Sequence, residues 1–243
     1  VTVSGGALTM NGANLFSGGT SIASGASATA GAVGAFGSGV VTVASGGTFT
    51  LGAASPGAGT NTYTLGGFAG AGTVNVTNMG TGVGTTQFTG TPSFSAFTGT
   101  LNIGFNGLAG GFSGKLAASN IGTSAATINV LPGATLLTSG NAATTFLYGG
   151  ALGEALGQLR LTGTNTGNIV LAGVQANNGS LGGNATESGV VSGNISELGP
   201  VPRTLRLAYG TGGTITLSGT NTFTGGVNIG GTGTLIVSSA ANL

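Results

Sequence analysis

Residues 8–22, LTMNGANLFSGGTSI, and residues 215–229, ITLSGTNTFTGGVNI, follow one pattern at a constant offset of 207. In both stretches, apolar and polar residues alternate for a few positions before Gly, Ser or Asn interrupts them. Residues 159–171, LRLTGTNTGNIVL, repeat the first half, and FTGTLNIG from Phe97 repeats the second half. Alternation with a period of two predicts short β-strands. The recurrence of the unit predicts a solenoid, because one such unit cannot bury its apolar side chains alone.

The last copy indicates how one coil is built. Ile215 and Leu217 belong to one strand, Gly219 turns the chain, and further strands begin at Val227 and Leu235 after Gly-rich corners. Three short strands and three corners in about 20–25 residues match one coil of a solenoid. Glycine suits the corners because it has no Cβ and adopts positive φ without a steric penalty. We therefore expect an all-β solenoid with short strands and Gly-rich corners.

This solenoid is expected to be a single domain. It would span residues 1–243, with residues 140–206 forming a less regular stretch with loop excursions. Both ends of the sequence fall in the middle of the pattern, and neither has an evident polar cap. A free solenoid needs such caps to avoid pairing at its edges. The expectation is a segment of a longer solenoid, or a subunit that stacks end to end on copies of itself.

The composition excludes most enzyme chemistry. Of 243 residues, 54 are Gly and 3% are charged, and Asp, His, Cys and Trp do not occur. Without Cys and His there is no ordinary zinc site, thiolate nucleophile, disulfide or Ser-His-Asp triad. We therefore predict no catalytic residues, no cofactor and no metal ligands, and a protein that is not an enzyme.

Charge and hydropathy limit the partners. A formal net charge of +1 gives no long-range attraction for nucleic acid. The mean hydropathy of +0.44 is the opposite of what disordered chains show. A transmembrane helix needs about 20 apolar residues in a row, and polar residues or Gly interrupt every stretch earlier. The expected partners are other copies of the chain, with a surface glycan or matrix ligand as an alternative.

The motifs resemble a known repeat. LSGTNTFTGGVNIGGTGTLIV at residues 217–237 and the stretch at residues 8–22 are similar to the passenger-associated repeat of bacterial autotransporters, also called the autotransporter-associated β-strand repeat. Residues 97–104 and 159–171 match it in part, so that the resemblance covers roughly a quarter of the chain. It implies a right-handed parallel β-helix at the bacterial cell surface or outside the cell, with no catalytic role for the repeat.

Three functions follow as hypotheses. The first is a structural rod, stalk or fibre of a bacterial surface protein, self-assembling end to end. The second is an adhesin passenger domain that binds a host or matrix ligand through its loops. The third is a carbohydrate-active β-helix enzyme, for which Glu187 and Glu197 are the only carboxylates close enough in sequence to form a pair.

Charged residues cluster in one part of the sequence, near Pro200 and Pro202. We interpret this part as a looser coil or loop whose charges are solvated or paired locally. A lateral contact or a ligand surface is the alternative. The cluster consists of Glu154, Arg160, Glu187, Glu197, Arg203 and Arg206, and the seventh charged residue is Lys115.

Threonine pairs of the form Thr-x-Thr recur along the chain. Outward threonine ladders on a flat solenoid can order water and bind ice, but threonine is also an ordinary outward strand residue. We favour the second interpretation because the pairs follow no single coil period. The pairs are Thr48/Thr50, Thr62/Thr64, Thr98/Thr100, Thr214/Thr216, Thr222/Thr224 and Thr232/Thr234.

Three further groups complete the candidates. Asn14, Asn165 and Asn221 share one motif position, where we expect them to turn the backbone or to bond a neighbouring coil. Five phenylalanines lie close together and are expected to stack in the core, with an exposed patch as the alternative. They are Phe88, Phe94, Phe97, Phe105 and Phe112. Sequons occur at Asn75, Asn178, Asn184 and Asn194, with little meaning in a bacterial surface protein.

Overall fold

A computed structural model shows parallel β-strands stacked into a solenoid. It describes residues 1–52, 60–77, 85–88, 93–104, 115–117, 125–131, 134–139, 145–148, 158–172, 177–183, 187–209, 211–240 and 243. Within these ranges there are 24 strands and no helix, so no helix there could cross a membrane. Every strand pair is parallel. The all-β solenoid is therefore confirmed.

The strands are short, with lengths of 2 to 8 residues. In chain order they are β1 (Thr2–Val3), β2 (Ala7–Met10), β3 (Thr20–Ile22), β4 (Ser27–Ala30), β5 (Val40–Val43), β6 (Thr48–Leu51), β7 (Thr60–Tyr63), β8 (Gly67–Ala69), β9 (Thr73–Val76), β10 (Thr85–Phe88), β11 (Thr100–Ile103), β12 (Lys115–Ala117), β13 (Thr127–Val130), β14 (Thr135–Ser139), β15 (Thr145–Tyr148), β16 (Gln158–Asn165), β17 (Ile169–Leu171), β18 (Asn177–Gly183), β19 (Ser188–Val191), β20 (Ile195–Glu197), β21 (Thr204–Tyr209), β22 (Thr214–Leu217), β23 (Val227–Ile229) and β24 (Thr234–Val237).

Three sheets form the faces of the solenoid. Sheet 1 has the order β1-β3-β5-β8, and sheet 2 has the order β2-β4-β6-β9-β11-β13-β15-β17-β20. Sheet 3 has the order β7-β10-β12-β14-β16-β18-β21-β23. A branch, β19-β22-β24, leaves sheet 3 at β16, whose second half pairs with β19. From β5 to β10 the chain visits sheets 1, 2 and 3 in turn, whereas β1 to β4 alternate between sheets 1 and 2, and β10 to β15 alternate between sheets 3 and 2. From β16 to β21 the branch takes the place of sheet 1.

The core consists of rows of apolar side chains that run along the solenoid. On sheet 2, Phe49 stacks on Val74, and Leu101 and Ile128 continue the row. All four are fully buried, with at most 1% of their surface exposed. Each such side chain contributes about 1.5–3 kcal/mol by leaving water. Since successive side chains of a strand point to opposite faces, the residues next to these four on each strand face outward.

The rows stay in register although the coils differ in length. Successive strands of sheet 2 are offset by 18 residues between Thr127 and Thr145, but by 27 residues between Thr73 and Thr100. The connections between sheets absorb this difference. The irregular intervals in the sequence therefore do not disturb the stacking.

Aromatic side chains fill the N-terminal half of the core. Phe36 meets Phe49 edge to face, with ring centroids 5.1 Å apart, and Phe68 lies 5.9 Å from Phe49. Phe68 also contacts Phe94 and Phe97, at 5.5 and 6.2 Å. The predicted core role of Phe94 and Phe97 is thus confirmed. The side chain of Phe88, and all of Phe105 and Phe112, lie outside the described residues.

Glycines at the corners have two structural roles. Gly25 and Gly46 adopt φ of 74° and 80° at stacked corners between sheets 1 and 2, where the Gly25 N–H donates to the Gly46 carbonyl. At Gly99 the constraint is space, since a Cβ atom would overlap the backbone of Gly72 in the coil below. The glycines in these corners are therefore required by position, as the repeats indicated.

The matching stretches at residues 8–22 and 215–229 lie on different faces. In the first copy, β2 belongs to sheet 2 and β3 to sheet 1. In the second copy, the corresponding β22 belongs to the branch and β23 to sheet 3. The copies are thus out of phase by one face. A short strand with alternating apolar residues fits any of the three faces, so the motif specifies a corner and its flanking strands but not the face.

Within residues 140–206 the described strands are less uniform. β16 extends across a corner from sheet 3 into the branch. β18 has a break in register between Asn178 and Leu181, where it pairs with β21. The domain limits and the bounds of this irregular stretch stay predictions.

Candidate functional site

Arg160 forms an ion pair on the outside of sheet 3. Its neighbours Leu159 and Leu161 are fully buried and face inward, so Arg160 points outward. The adjacent strand presents Gly182 at the same position, which leaves room for the long side chain to lie flat. Its Nη2 donates to Glu187 Oε1 at 2.5 Å, and the side chains are 7% and 24% exposed. The pair ties the segment before β19 to the sheet.

Glu197 occupies a position that is apolar in the strands before it. It lies opposite Leu171, in the row formed by Leu51, Val76, Ile103 and Val130. Its carboxylate accepts two hydrogen bonds, from the Arg203 N–H at 2.7 Å and from Thr224 Oγ1 at 2.7 Å. Glu197 therefore links the end of sheet 2 to the next coil and to the loop that follows β20.

Arg203 is buried and bridges the two ends of the loop that follows β20. Its Nε and Nη2 donate to the Leu198 carbonyl at 3.1 and 3.0 Å, and the residue is 6% exposed. Its Nη1 is buried without a hydrogen-bond partner. The loop of residues 198–203, which contains both prolines, is thus fixed by contacts at each end.

The electrostatics of this corner favour the ionised form of Glu197. Burial raises the pKa of the Glu197 carboxyl, but the hydrogen bonds from Thr224 and Arg203 and the nearby Arg203 charge outweigh it. The net result is a pKa below the ordinary value of 4.5. The carboxylate is therefore ionised at neutral pH, and its role is that of a hydrogen-bond acceptor.

In the structure, Glu187 and Glu197 have different hydrogen-bond partners. Glu187 precedes β19 of the branch and bonds Arg160, whereas Glu197 ends β20 of sheet 2 and bonds Arg203 and Thr224. In the described part of the chain, no group of three or more acidic, His or Cys residues could hold a metal ion.

Of the other three charged residues, two are described. Arg206 is half-buried on β21, opposite Asn228 of β23. Lys115 begins β12, and Glu154 lies outside the described residues. Four of the six charged residues in the cluster thus form two local arrangements, Arg160 with Glu187 and Glu197 with Arg203.

The outer face of sheet 2 has two regular columns that the sequence analysis missed. The threonine column consists of Ser27, Thr48, Thr73, Thr100 and Thr127, and the asparagine column consists of Thr29, Thr50, Asn75, Asn102 and Asn129. The asparagines form an amide ladder, in which Asn102 Nδ2 donates to Asn75 Oδ1 at 2.9 Å and Asn129 Nδ2 donates to Asn102 Oδ1 at 2.7 Å. The signal in the sequence was the recurrence of TVNV, TLNI and TINV at intervals of 27 residues.

The Thr-x-Thr pairs do not together build one array. Thr48 and Thr50 belong to these columns, but Thr214 and Thr216 lie on β22 of the branch. Thr62 is on β7 of sheet 3. The pairs are thus distributed over several faces, and ice binding gains no support from them.

The motif asparagines bond neighbouring coils, as predicted. Asn14 Nδ2 donates to the Ala35 carbonyl at 2.7 Å, and Asn221 Oδ1 accepts from the Ile195 N–H at 2.9 Å. Asn165 is fully buried, and its Nδ2 donates to the Val190 carbonyl at 3.4 Å. The same motif position therefore joins coils wherever it occurs in these three copies.

The four sequons have different environments. Asn75 is 7% exposed and belongs to the amide ladder, so its side chain is inaccessible. Asn194 is exposed, and its Oδ1 accepts from the Thr220 N–H at 3.1 Å. Asn178 lies in β18, but its side chain is not among the parts that the structure describes. Asn184 lies outside the described residues.

The two ends of the solenoid expose strand edges and apolar side chains. At the first coil, β1 and β2 pair only on one side, and Leu8 and Met10 are half-buried. At the last coil, β23 and β24 also pair on one side only. There Ile229 is 56% exposed, at the rim of an apolar crevice that Leu207, Ile215 and Leu235 also line.

Comparisons of the chain with protein-family models, with curated proteins and with solved structures find no match. The resemblance to the autotransporter repeat therefore rests on the motifs quoted above and stays a prediction.

Proposed function

We propose that this chain is a structural element of a bacterial cell-surface or extracellular rod or fibre, in which copies stack end to end. The observation that carries the proposal is the stack of short parallel strands in register, in which apolar side chains lie in rows along the solenoid. Since each coil of such a stack covers its neighbour, a rod lengthens by the addition of similar coils.

The low charge of the chain supports the same role. With 3% charged residues and a net charge of +1, copies repel one another little. The core is a continuous stack of buried rows, which resists opening because each coil is held by its neighbours. The resemblance to a repeat of bacterial surface proteins supports the location. The work of such a segment is mechanical, namely to extend and to resist proteolysis.

An adhesin passenger is the second candidate function. The loop of residues 198–203 favours it, because Leu198 and Val201 are 53% and 48% exposed while the charges of the loop are engaged internally. Exposed apolar side chains on a fixed loop suit a protein or matrix ligand. No observation favours the carbohydrate-active enzyme, since the two carboxylates have separate partners.

Sedimentation velocity and negative-stain microscopy of the 243-residue chain test the fibre. We expect rods that lengthen with protein concentration and hardly change with salt, because few charges take part. Ile229→Lys places a charge on the exposed side of β23 and should leave single chains. Leu198→Lys is the matched control, which should keep the rods and weaken only an adhesive contact. A wild-type chain that stays monomeric at all concentrations refutes the fibre.

A further inference from the structure

The loop that follows β20 is held by contacts that converge on Glu197. The two oxygens of this carboxylate have different donors. Oε2 accepts from the Arg203 backbone N–H, and Oε1 accepts from Thr224 Oγ1, both at 2.7 Å. The first hydrogen bond joins the two ends of the loop, and the second joins the start of the loop to the next coil. Glu197 therefore fixes residues 198–203 on both of its sides.

The same loop encloses a cation. The Arg203 guanidinium donates twice to the Leu198 carbonyl, at 3.1 and 3.0 Å, and its Nη1 is buried without a hydrogen-bond partner. Arg203 is 6% exposed. A buried cation is unfavourable unless an opposite charge lies near it, and the same attraction helps to lower the pKa of Glu197. The closed loop is thus favoured by the ionised carboxylate.

Among the described residues, Arg203 is the charged residue whose attraction acts on Glu197. Leu171 of β17, which lies opposite Glu197, is apolar, and Thr224 of the following coil is neutral. The other described glutamate bonds Arg160 instead. The state of the loop therefore depends on the ionisation of one side chain.

Protonation of Glu197 removes the charge and keeps the shape of the contact. The neutral carboxyl still accepts from the Arg203 N–H, and the Thr224 hydroxyl can turn to accept the new proton. Hydrogen bonds to a charged group are about twice as strong as neutral ones, so both contacts weaken. The guanidinium is then buried with no opposite charge beside it. Water outside the loop becomes the better environment for Arg203.

We propose that Glu197 is an acid-sensitive latch for residues 198–203. While its carboxylate is ionised, the loop is closed around Arg203. When the carboxylate takes up a proton, the loop opens and the guanidinium reaches solvent. These contacts all lie within one chain, so the latch is independent of the proposed fibre. Opening adds a positive charge to a loop surface on which Leu198 and Val201 are already exposed.

The latch is closed at neutral pH. The pKa of Glu197 in the folded chain lies below 4.5, because its hydrogen bonds and the Arg203 charge outweigh the effect of burial. The ionised form therefore dominates above that pH. Opening is expected as the pH falls through the folded-state pKa.

The first experiment measures the reaction of arginine side chains with phenylglyoxal at about pH 8, with peptide mapping by mass spectrometry. Glu197→Gln reproduces the neutral contact at this pH, and Arg203 should react about fivefold faster than in the wild-type chain. Glu187→Gln is the matched control. It removes the carboxylate that bonds Arg160, so Arg160 should react faster while Arg203 stays protected.

The second experiment follows hydrogen exchange of the wild-type chain between pH 7 and pH 2, corrected for the intrinsic pH dependence of exchange. Protection of the peptide that covers residues 198–203 should fall below about pH 4.5. In Glu197→Gln the protection should be low throughout and show no such step. Strand β11 of the regular region reports global unfolding and should stay protected over the same range.

Three results would overturn the latch. The first is equal reactivity of Arg203 in the wild-type chain and in Glu197→Gln. The second is loop protection in the wild-type chain that is unchanged down to pH 2. The third is a simultaneous loss of protection in the loop and in β11, which would show that acid unfolds the whole chain. Since the exchange experiment uses the wild-type chain, it decides the matter even if Glu197→Gln fails to fold.

Discussion

The middle of sheet 2 and its last strand differ in what occupies equivalent positions. At β9, β11 and β13 the inward rows are aliphatic and the outward columns are threonine and asparagine. At β20 the inward row ends in Glu197, and the following loop is held by Arg203. The first region is stable because each coil repeats its neighbour. The second is stable because specific polar contacts replace that repetition, and each of them can be removed singly.

The largest expected effect comes from the regular region. Gly99→Ala introduces a Cβ that overlaps the Gly72 backbone, which cannot move without shifting a coil. We expect a loss of about 3 kcal/mol or more in the free energy of unfolding. Gly12→Ala is the control, since a Cβ there meets nothing within 4 Å and should change stability by less than about 0.5 kcal/mol. Chemical denaturation followed by circular dichroism measures both, and equal effects would contradict the role of close stacking.

A smaller loss is expected from the ion pair in the irregular region. Glu187→Ala leaves Arg160 almost buried without its carboxylate, at a cost of about 2 kcal/mol. The double variant Arg160→Met/Glu187→Ala removes the unpaired charge and should recover more than half of that loss. A double-mutant cycle of unfolding free energies measures the coupling. Additive effects would show that the pair does not hold this segment.

The amide ladder tests the outer face of the regular region. Asn102→Ala removes the donor to Asn75 and the acceptor for Asn129, leaving a buried amide oxygen on Asn75. We expect destabilisation by about 1–2 kcal/mol. Thr50→Ala, in the same column, leaves the ladder intact and should cost less than about 0.5 kcal/mol. If the two variants unfold at the same denaturant concentration, the ladder contributes nothing beyond ordinary strand packing.

The smallest effect concerns pH. The pKa of Glu197 is lowered in the folded state, so its contribution to stability is present above pH 4.5 and is lost as the pH falls through the folded-state pKa. Since the group is partly exposed, the loss is below about 1 kcal/mol. Unfolding midpoints measured from pH 7 to pH 3 should fall less steeply for Glu197→Gln than for the wild-type chain. Parallel curves for the two chains would show that Glu197 is not the source of the acid sensitivity. Between about pH 5 and 9, the unfolding midpoint of each chain should stay constant.

Much of the fold could be predicted because it depends on local pattern. The alternation at Ile215 and Leu217 and the glycines at the corners specify strand, turn and strand within a few residues. The motif asparagines were placed correctly for the same reason, since Asn14 and Asn221 act at a fixed position of the unit.

Features that depend on the relation between coils could not be predicted in this way. The threonine and asparagine columns depend on the register between neighbouring strands of sheet 2. This register cannot be read from the sequence because the connections between those strands differ in length. Glu197 reads as a loop charge in the sequence, yet it stands in an inward row because β20 continues the register of β17.

The sequence by itself determined that this protein is a stack of short strands with few charges. It did so because alternation, glycine and asparagine act over a few residues. Only the tertiary structure decided which coil lies on which and which face each copy of the motif occupies. The physical reason is that a short alternating strand fits all three faces equally well. Its place is set by the coil on which it stacks, through backbone hydrogen bonds and buried rows between residues that are 18 to 27 positions apart on sheet 2.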